Sequence, residues 1–158
     1  MDRAYRATKL RQAHAQGGAG ALARAQSSAE FALVAVVFLI LVFGTIDLSR
    51  ALYAYDFVCY AARNAIRFAS LNGSGSPNPA VTSDIQNLVM GLANGLSATA
   101  QCPATAVSDL CATTTWTPDN NPGSTVTIRV DYVFGPLAPF LPAGALTLSS
   151  TAQLVVMR

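Results

Sequence analysis

The sequence predicts an α+β protein in which one long N-terminal helix packs on a small unit with a second helix and an antiparallel sheet of three or four strands. Three observations support this class. Residues 27–71 contain no proline and one glycine, Gly44, so little interrupts a helix there. An uncharged apolar run fills residues 31–46. Residues 125–134 and 146–157 alternate apolar and polar side chains, which is typical of half-buried strands.

Residues 1–25 are predicted to form a basic, flexible leader. They lack helical periodicity and include a glycine-rich stretch at residues 17–20. The net charge of residues 1–28 is +4, whereas that of residues 47–158 is −1. Because basic flanks of a membrane segment stay in the cytoplasm, we expect a cytoplasmic N-terminus and an extracytoplasmic C-terminus. Five scattered basic residues do not favour nucleic-acid binding.

The long helix is expected over residues 26–71, a length of roughly 65 Å, with a transmembrane segment at about residues 29–48. Glu30 stands at the start of the apolar run, and the next charge is Asp47. An ionised group beside a membrane-grade segment is by default a functional hypothesis. A position in contact with water at the lipid headgroups explains Glu30 equally well.

Beyond Asp47 the helix becomes amphipathic. Its many alanines permit close approach by another element. We expect most of its apolar face to pack on the protein's own domain and part of it to contact neighbouring subunits. Asp47 and Asp56 are expected to face solvent or partners. The apolar positions, which recur at spacings of three and four, are Leu48, Leu52, Tyr55, Cys59, Ala62, Ile66 and Ala69.

Residues 72–158 are expected to form the extracytoplasmic α+β domain. A run of Asn, Gly, Ser and Pro ends the long helix, with Gly73 as its left-handed cap. A second helix is predicted over residues 84–96 from its apolar stripe. Ser83 and Gln86 have the spacing of a capping box at its start.

A short strand at residues 112–117 is predicted before the two alternating strands. The loop between those two strands is rich in proline and apolar residues. Leu137, Phe140 and Leu141 are poorly placed to enter a sheet core, and an exposed apolar loop marks a contact with a partner or a membrane. A loop that folds back over the core is about as probable.

Three cysteines occur in the chain. Cys102 and Cys111 lie in the part predicted to be outside the cytoplasm, where thiols tend to pair, and a disulfide between them would close a short loop. Cys59 lies in helical sequence, where a small buried apolar residue is expected. Their order matches no zinc spacing.

The residues that enzymes need are scarce. The single histidine, His14, lies in the leader, so the extracytoplasmic part has no histidine for base, nucleophile or metal chemistry. The Asp-Asn-Asn run at residues 119–121 resembles an ordinary turn more than a calcium loop. We therefore expect no catalysis, cofactor, metal or small-molecule substrate.

Two other classes fit parts of the pattern. A secreted protein with a cleaved signal peptide explains the basic arm and the apolar run, but cleavage there would cut a helix. A single-pass, membrane-anchored extracytoplasmic binding module explains everything except Glu30.

The motifs of the long helix add a resemblance. They are Glu-Phe-Ala-Leu from Glu30, Phe-Gly-x-x-Asp-x-x-Arg-x-x-Tyr from Phe43 to Tyr53, and Ala-Ala-Arg-x-x-x-Arg-x-Ala from Ala61 to Ala69. Over about 45 residues the chain resembles the TadE-like family, pilin-like proteins of the Tad (Flp, type IVc) pilus system. Residues 72–158 resemble the family more loosely.

The resemblance implies a pilin-like fold and a minor pilin or pseudopilin of a Tad-type pilus or secretion assembly. It implies a single-pass protein of the bacterial inner membrane, with entry into a surface filament as the alternative to residence in the membrane. A prepilin peptidase would cut between Ala25 and Gln26, although the family usually has glycine at the position of Ala25. Other pilin-like subunits and the inner-membrane assembly platform are the implied partners. The implied assembly residues are Glu30, Phe31, Gly44, Asp47 and Arg50.

Overall fold

The computed structural model describes the backbone of residues 2–138 and 146–158, and the side chains of residues 26–138 and 146–158. The chain divides into two compact units, Met1–Gly44 and Thr45–Arg158. The elements are α1 (Asp2–Leu71), α2 (Thr82–Leu92), β1 (Thr99–Ala100), β2 (Asp109–Thr117), β3 (Thr125–Phe134) and β4 (Leu146–Val155). They form the predicted α+β fold.

The helix α1 begins at Asp2 and so includes the residues predicted to form a flexible leader. Alanine and arginine are frequent there, and both favour helix. Among the described residues, Gln26–Leu71 is the one helix long and apolar enough to cross a membrane. Most side chains from residue 31 to residue 41 are exposed, although they are apolar. An exposed apolar surface of this kind is typical of contact with a membrane or with partner helices.

The core of the second unit lies between α1, α2 and one face of the sheet. On α1 the fully buried positions include Ala61, Ala62, Ala65 and Ala69. These small residues let the helix backbone approach the sheet closely, so larger side chains of the sheet fill the space. From the strands, the core takes Leu110, Ala112, Val126, Ile128, Val130, Tyr132 and Phe134.

The predicted apolar face of α1 is only partly the buried one. Ala62, Ile66 and Ala69 are buried, but Leu48, Leu52 and Tyr55 are 61%, 58% and 48% exposed. The helix has apolar side chains on more than one side here, so periodicity could not choose between them. The alanine-rich side packs inward because it fits flat against the sheet, and the larger side chains remain outside.

The end of α1 at Leu71 agrees with the prediction, but the role of Gly73 does not. Gly73 has no positive φ; among the described glycines, Gly95 and Gly123 have one. A Cβ at Gly73 would instead overlap the carbonyl oxygen of Arg158 and the side chain of Val156. Glycine is needed there because the C-terminal backbone passes against it.

The cap of α2 differs from the predicted capping box. Val81 is the N-cap residue, and its N–H donates to the Asp84 carboxylate at 3.2 Å. Ser83 lies inside the helix. The Gln86 side chain is used elsewhere: it accepts from the N–H of Ala112 at 2.6 Å and donates to the carbonyl of Leu110 at 2.8 Å. A tertiary contact therefore replaces the local one.

The sheet has the order β1-β2-β3-β4. The pairs β2–β3 and β3–β4 are antiparallel, with Ile128 opposite Thr114 on one side and Ala152 on the other. The two-residue β1 pairs in parallel with the start of β2, so the sheet is mixed and not wholly antiparallel as predicted. The chain from β1 returns to the same end of the sheet before β2 begins, which dictates the parallel pair.

Candidate functional site

In the first unit, Glu30 lies one helical turn after Gln26. The Gln26 side-chain amide donates to the Glu30 carboxylate, with 3.3 Å between Nε2 and Oε1, and both residues are exposed. Phe31 is 74% exposed. The side chain of Ala25 lies outside the described residues. The helix therefore places the residue on the C-terminal side of the predicted cleavage bond within reach of the carboxylate.

Gly44 is the last residue of the first unit. A Cβ at this position would meet nothing within 4 Å, so no packing contact within the described part of the chain requires glycine there. In a membrane, a glycine on an exposed helix face lets a second helix approach closely.

Asp47 is buried, with 5% exposure, and does not face solvent or partners as the sequence predicts. Its carboxylate accepts from the N–H of Leu137 at 2.9 and 3.1 Å and from the N–H of Ala138 at 2.8 Å. These amide donors replace water around the charge, which is why the carboxylate can be buried. Asp47 thus holds the loop after β3 against α1.

Arg50 lies one turn further along α1 and completes this contact. Its guanidinium is 3.1 Å from the Asp47 carboxylate and donates to the carbonyl of Gly135 at 3.4 Å. It also lies over the ring of Phe134, 5.4 Å from the centroid, within the range of a cation–π contact. Arg50 therefore connects the end of β3 with the same loop.

Tyr53 is a third residue of the same motif and is not among the site residues predicted from the sequence. Its hydroxyl donates to the carbonyl of Asn94 at 3.0 Å. Asp47, Arg50 and Tyr53 recur every three residues, so one side of the helix contacts two separate loops. We call these three residues the motif clamp. Their spacing within the Asp-x-x-Arg-x-x-Tyr motif was the signal that could have found Tyr53.

A cleft of about 510 Å³ lies beside the motif clamp, and its walls include Arg50, Tyr53, Tyr132 and Phe134. Its lining comes from α1, from the two loops that the clamp holds, from the end of β3 and from the residues just before β2. No nucleophile–base pair is among the residues that line it. Hydrogen bonding and ring contact are what such a surface offers.

The predicted partner loop is described only at its start. Leu137 is 58% exposed while Ala138 is buried at 2%. Phe140 and Leu141 lie outside the described residues. At Leu137 the backbone is fixed by Asp47 and the side chain faces outward, a geometry compatible with contact to a partner.

Cys102 and Cys111 are joined by a disulfide with Cα atoms 5.0 Å apart, and Cys59 is a free, half-buried thiol. The Asp119 turn is held internally, because its carboxylate accepts from the N–H of Asn121 and the hydroxyl of Ser124. Within the part of the chain that the structure describes, no group of three or more His, Cys, Asp or Glu residues could hold a metal ion.

No curated protein and no solved structure matches the chain. A protein-family model does, and it is described as TadE-like protein. The matched segment covers Glu30, the motif clamp and the buried alanines Ala61, Ala62 and Ala65, and it ends before Ala69. The match to residues 25–67 confirms the resemblance drawn from the motifs, and it shows that this segment of α1 is similar to TadE-like proteins.

Proposed function

We propose that the protein is a non-enzymatic, pilin-like component, a minor pilin or pseudopilin, of a Tad-type pilus or secretion assembly. The observation that carries this proposal is the TadE-like match over residues 25–67, on a helix whose apolar side chains are exposed. A pilus-related protein anchored in a membrane by such a helix works by packing against lipid and other subunits. Catalysis has no part in this function.

In this proposal, residues 31–46 of α1 and the turns that carry the motif clamp have different roles. Residues 31–46 supply the surface for lipid and for neighbouring helices, with Gly44 as a point of close approach. The motif clamp fixes loops of the second unit to the following turns of the same helix. In this proposal the membrane-spanning run ends before Asp47, somewhat earlier than residue 48; the burial of the Asp47 carboxylate by backbone amides of the second unit supports this end point. The assembly role expected of Asp47 and Arg50 is thus indirect, through the shape of the second unit.

Glu30 is the residue that assembly requires in the apolar layer. After cleavage between Ala25 and Gln26, the new α-amine of Gln26 would pair with the Glu30 carboxylate of its own or a neighbouring chain. The 3.3 Å contact between the two side chains supports a reach of one helical turn. An unpaired charge at mid-bilayer costs about 2.5–3.5 kcal/mol on insertion scales, which is an upper bound for residues at the start of the apolar run. Pairing therefore favours subunits in register.

The proposed setting is the bacterial inner membrane, crossed once, with the N-terminus in the cytoplasm. The charge difference between the flanks supports this orientation. The proposed partners are a prepilin peptidase, the major pilin, a sister pseudopilin and the inner-membrane platform. Nucleic acids and small-molecule substrates are not among them.

Mass spectrometry of the mature N-terminus in native membranes tests this function. Gln26 as the first residue is the expected result. Met1 as the first residue would favour a plain membrane-anchored binding module, and a start beyond Ile46 would favour a secreted protein. Either of these results overturns the proposal. Recovery of the protein in sheared surface filaments would distinguish a filament subunit from a membrane-resident one.

A further inference from the structure

The strand β4 is an open edge of the sheet. It pairs with β3 along all ten residues, Leu146–Val155. Among the described residues, no hydrogen bond reaches its other side from Leu146 to Leu154. Only the last carbonyl, that of Val155, accepts from the hydroxyl of Ser70 at 2.8 Å. The edge thus offers backbone donors and acceptors over about nine residues.

The sequence of β4 does nothing to protect this edge. Leu-Thr-Leu-Ser-Ser-Thr-Ala-Gln-Leu-Val contains no charge, proline or glycine. Natural edge strands are usually short, charged, bulged or interrupted by proline, because an unprotected edge pairs with another strand. Leu146 and Val155 are about half exposed. A strand with these properties is suited to the addition of a further strand.

The opposite edge of the sheet, on β2, is protected only at its start. β1 pairs with Asp109 and Leu110, and the Gln86 side chain occupies the backbone groups up to Ala112. Beyond these, residues 113–117 have no hydrogen-bonded neighbour on that side among the described residues. This segment, Thr-Thr-Thr-Trp-Thr, also lacks charge and proline. The sheet therefore has two unprotected edges.

The directions of the strands decide how two copies can join. Both β2 and β4 run antiparallel to β3, so they run parallel to each other. We infer that β4 of one copy pairs in parallel with residues 113–117 of a second copy, which extends the sheet from molecule to molecule. This inference rests on the proposed function, because it requires copies that share one membrane orientation.

The other simple arrangement is antiparallel pairing of two β4 strands. It needs a two-fold axis perpendicular to the sheet. That axis would make the α1 segments that pack on the two sheets, within the second units, point in opposite directions. The β4–β2 contact keeps all helices in one direction, and since it is head to tail it continues into a chain or helical array.

Cysteine cross-linking of the full-length protein in native membranes tests the contact. Two differently tagged copies, both Cys59→Ser, are co-expressed, one with Thr115→Cys and the other with a cysteine on β4. Thr115 is exposed on the face of the sheet away from α1. Register is scanned on that same face with Ser149→Cys, Thr151→Cys or Gln153→Cys. The matched control places the second cysteine at Arg129, which is on the same face but on the central strand β3.

Disulfides form only between cysteines whose Cβ atoms lie about 3.5–4.5 Å apart, so one β4 position should give a two-tag dimer about tenfold above the Arg129 control. Dimer yields at the control level for all three β4 positions overturn the inference, as does a dominant dimer between two Thr151→Cys copies. Mature N-termini at Gln26 together with control-level yields would remove this contact and leave the proposed function intact. An uncut leader together with an edge dimer would remove the function and leave the contact.

Discussion

The Gln86 side chain makes the hydrogen bonds that a neighbouring strand would make at the edge of β2. Its removal should therefore lower the free energy of unfolding. In Gln86→Ala the N–H of Ala112, a residue with 1% exposure, loses its partner. The carbonyl of Leu110 loses one of two donors, because the N–H of Gln101 still reaches it at 3.3 Å. One orphaned buried donor and one weakened acceptor amount to about 2–4 kcal/mol of unfolding free energy.

The loss is measurable by thermal unfolding of the full chain in detergent. Trp116 is the single tryptophan and lies on β2 against the core, so its fluorescence reports this part of the sheet. A loss of this size should lower Tm by roughly 10 °C for a unit of little more than 100 residues.

Two further variants separate hydrogen bonding from packing. Gln86→Met keeps the length of the side chain but neither hydrogen bond, so it should be destabilised about as much as Gln86→Ala. Asn87→Ala, at the neighbouring exposed position, should leave Tm within a few degrees of wild type, as is usual for surface changes of up to about 0.5 kcal/mol. Wild-type stability in Gln86→Met would refute the reasoning.

Three more predictions concern the second unit. Asp47→Ala should speed amide hydrogen exchange at Leu137 and Ala138, because their N–H groups donate to the Asp47 carboxylate. The control variant Asp56→Ala should leave these exchange rates unchanged. Equal protection of both amides in the two variants would contradict the motif clamp. The hydroxyl of Ser124, followed by the amide groups of Asn121, lowers the pKa of Asp119 below its ordinary value. The stability that this carboxylate contributes is therefore complete above the unfolded pKa of about 3.9 and is lost as pH falls through the folded pKa. In Asp119→Asn, the free energy of unfolding should therefore fall less steeply with decreasing pH below about pH 4 than in wild type. Gly73→Ala should lower Tm, since its Cβ would overlap the C-terminal backbone. Gly91→Ala places its Cβ in open space and should raise the free energy of unfolding by up to about 1 kcal/mol. A higher Tm for Gly73→Ala than for Gly91→Ala would contradict the close approach of the C-terminal backbone to Gly73.

The strands were predictable where one face alone is buried. β3 matches its predicted bounds, because five alternating apolar residues leave one register that buries them. β1 was not predictable, since its pairing depends on how the chain returns to β2 and on the disulfide beside it. The inward face of α1 was predicted only in part, because alanine and leucine both count as apolar and only the shape of the sheet selects between them.

The site shows a similar division. The motifs located the important helix, and the family match confirms that segment. They could not show that the Asp47 carboxylate is buried against backbone N–H groups of a loop about 90 residues away. An aspartate beside an apolar run is expected to be exposed to water. The role of Gln86 was missed for the same reason: its nearby capping-box spacing gave a local explanation, while its partners are 24 and 26 residues away.

The central claim is that Glu30 serves assembly by neutralising a new N-terminal amine. The direct measurement is the amount of Glu30→Gln protein in sheared filaments, relative to wild type at equal membrane levels, with Ser28→Ala as control. At the start of the apolar run, an unpaired amine costs less than the mid-bilayer value of about 2.5–3.5 kcal/mol. A cost of about 1.4 kcal/mol predicts a tenfold loss of incorporation, with the control unchanged. Incorporation of Glu30→Gln at the wild-type level would contradict the account.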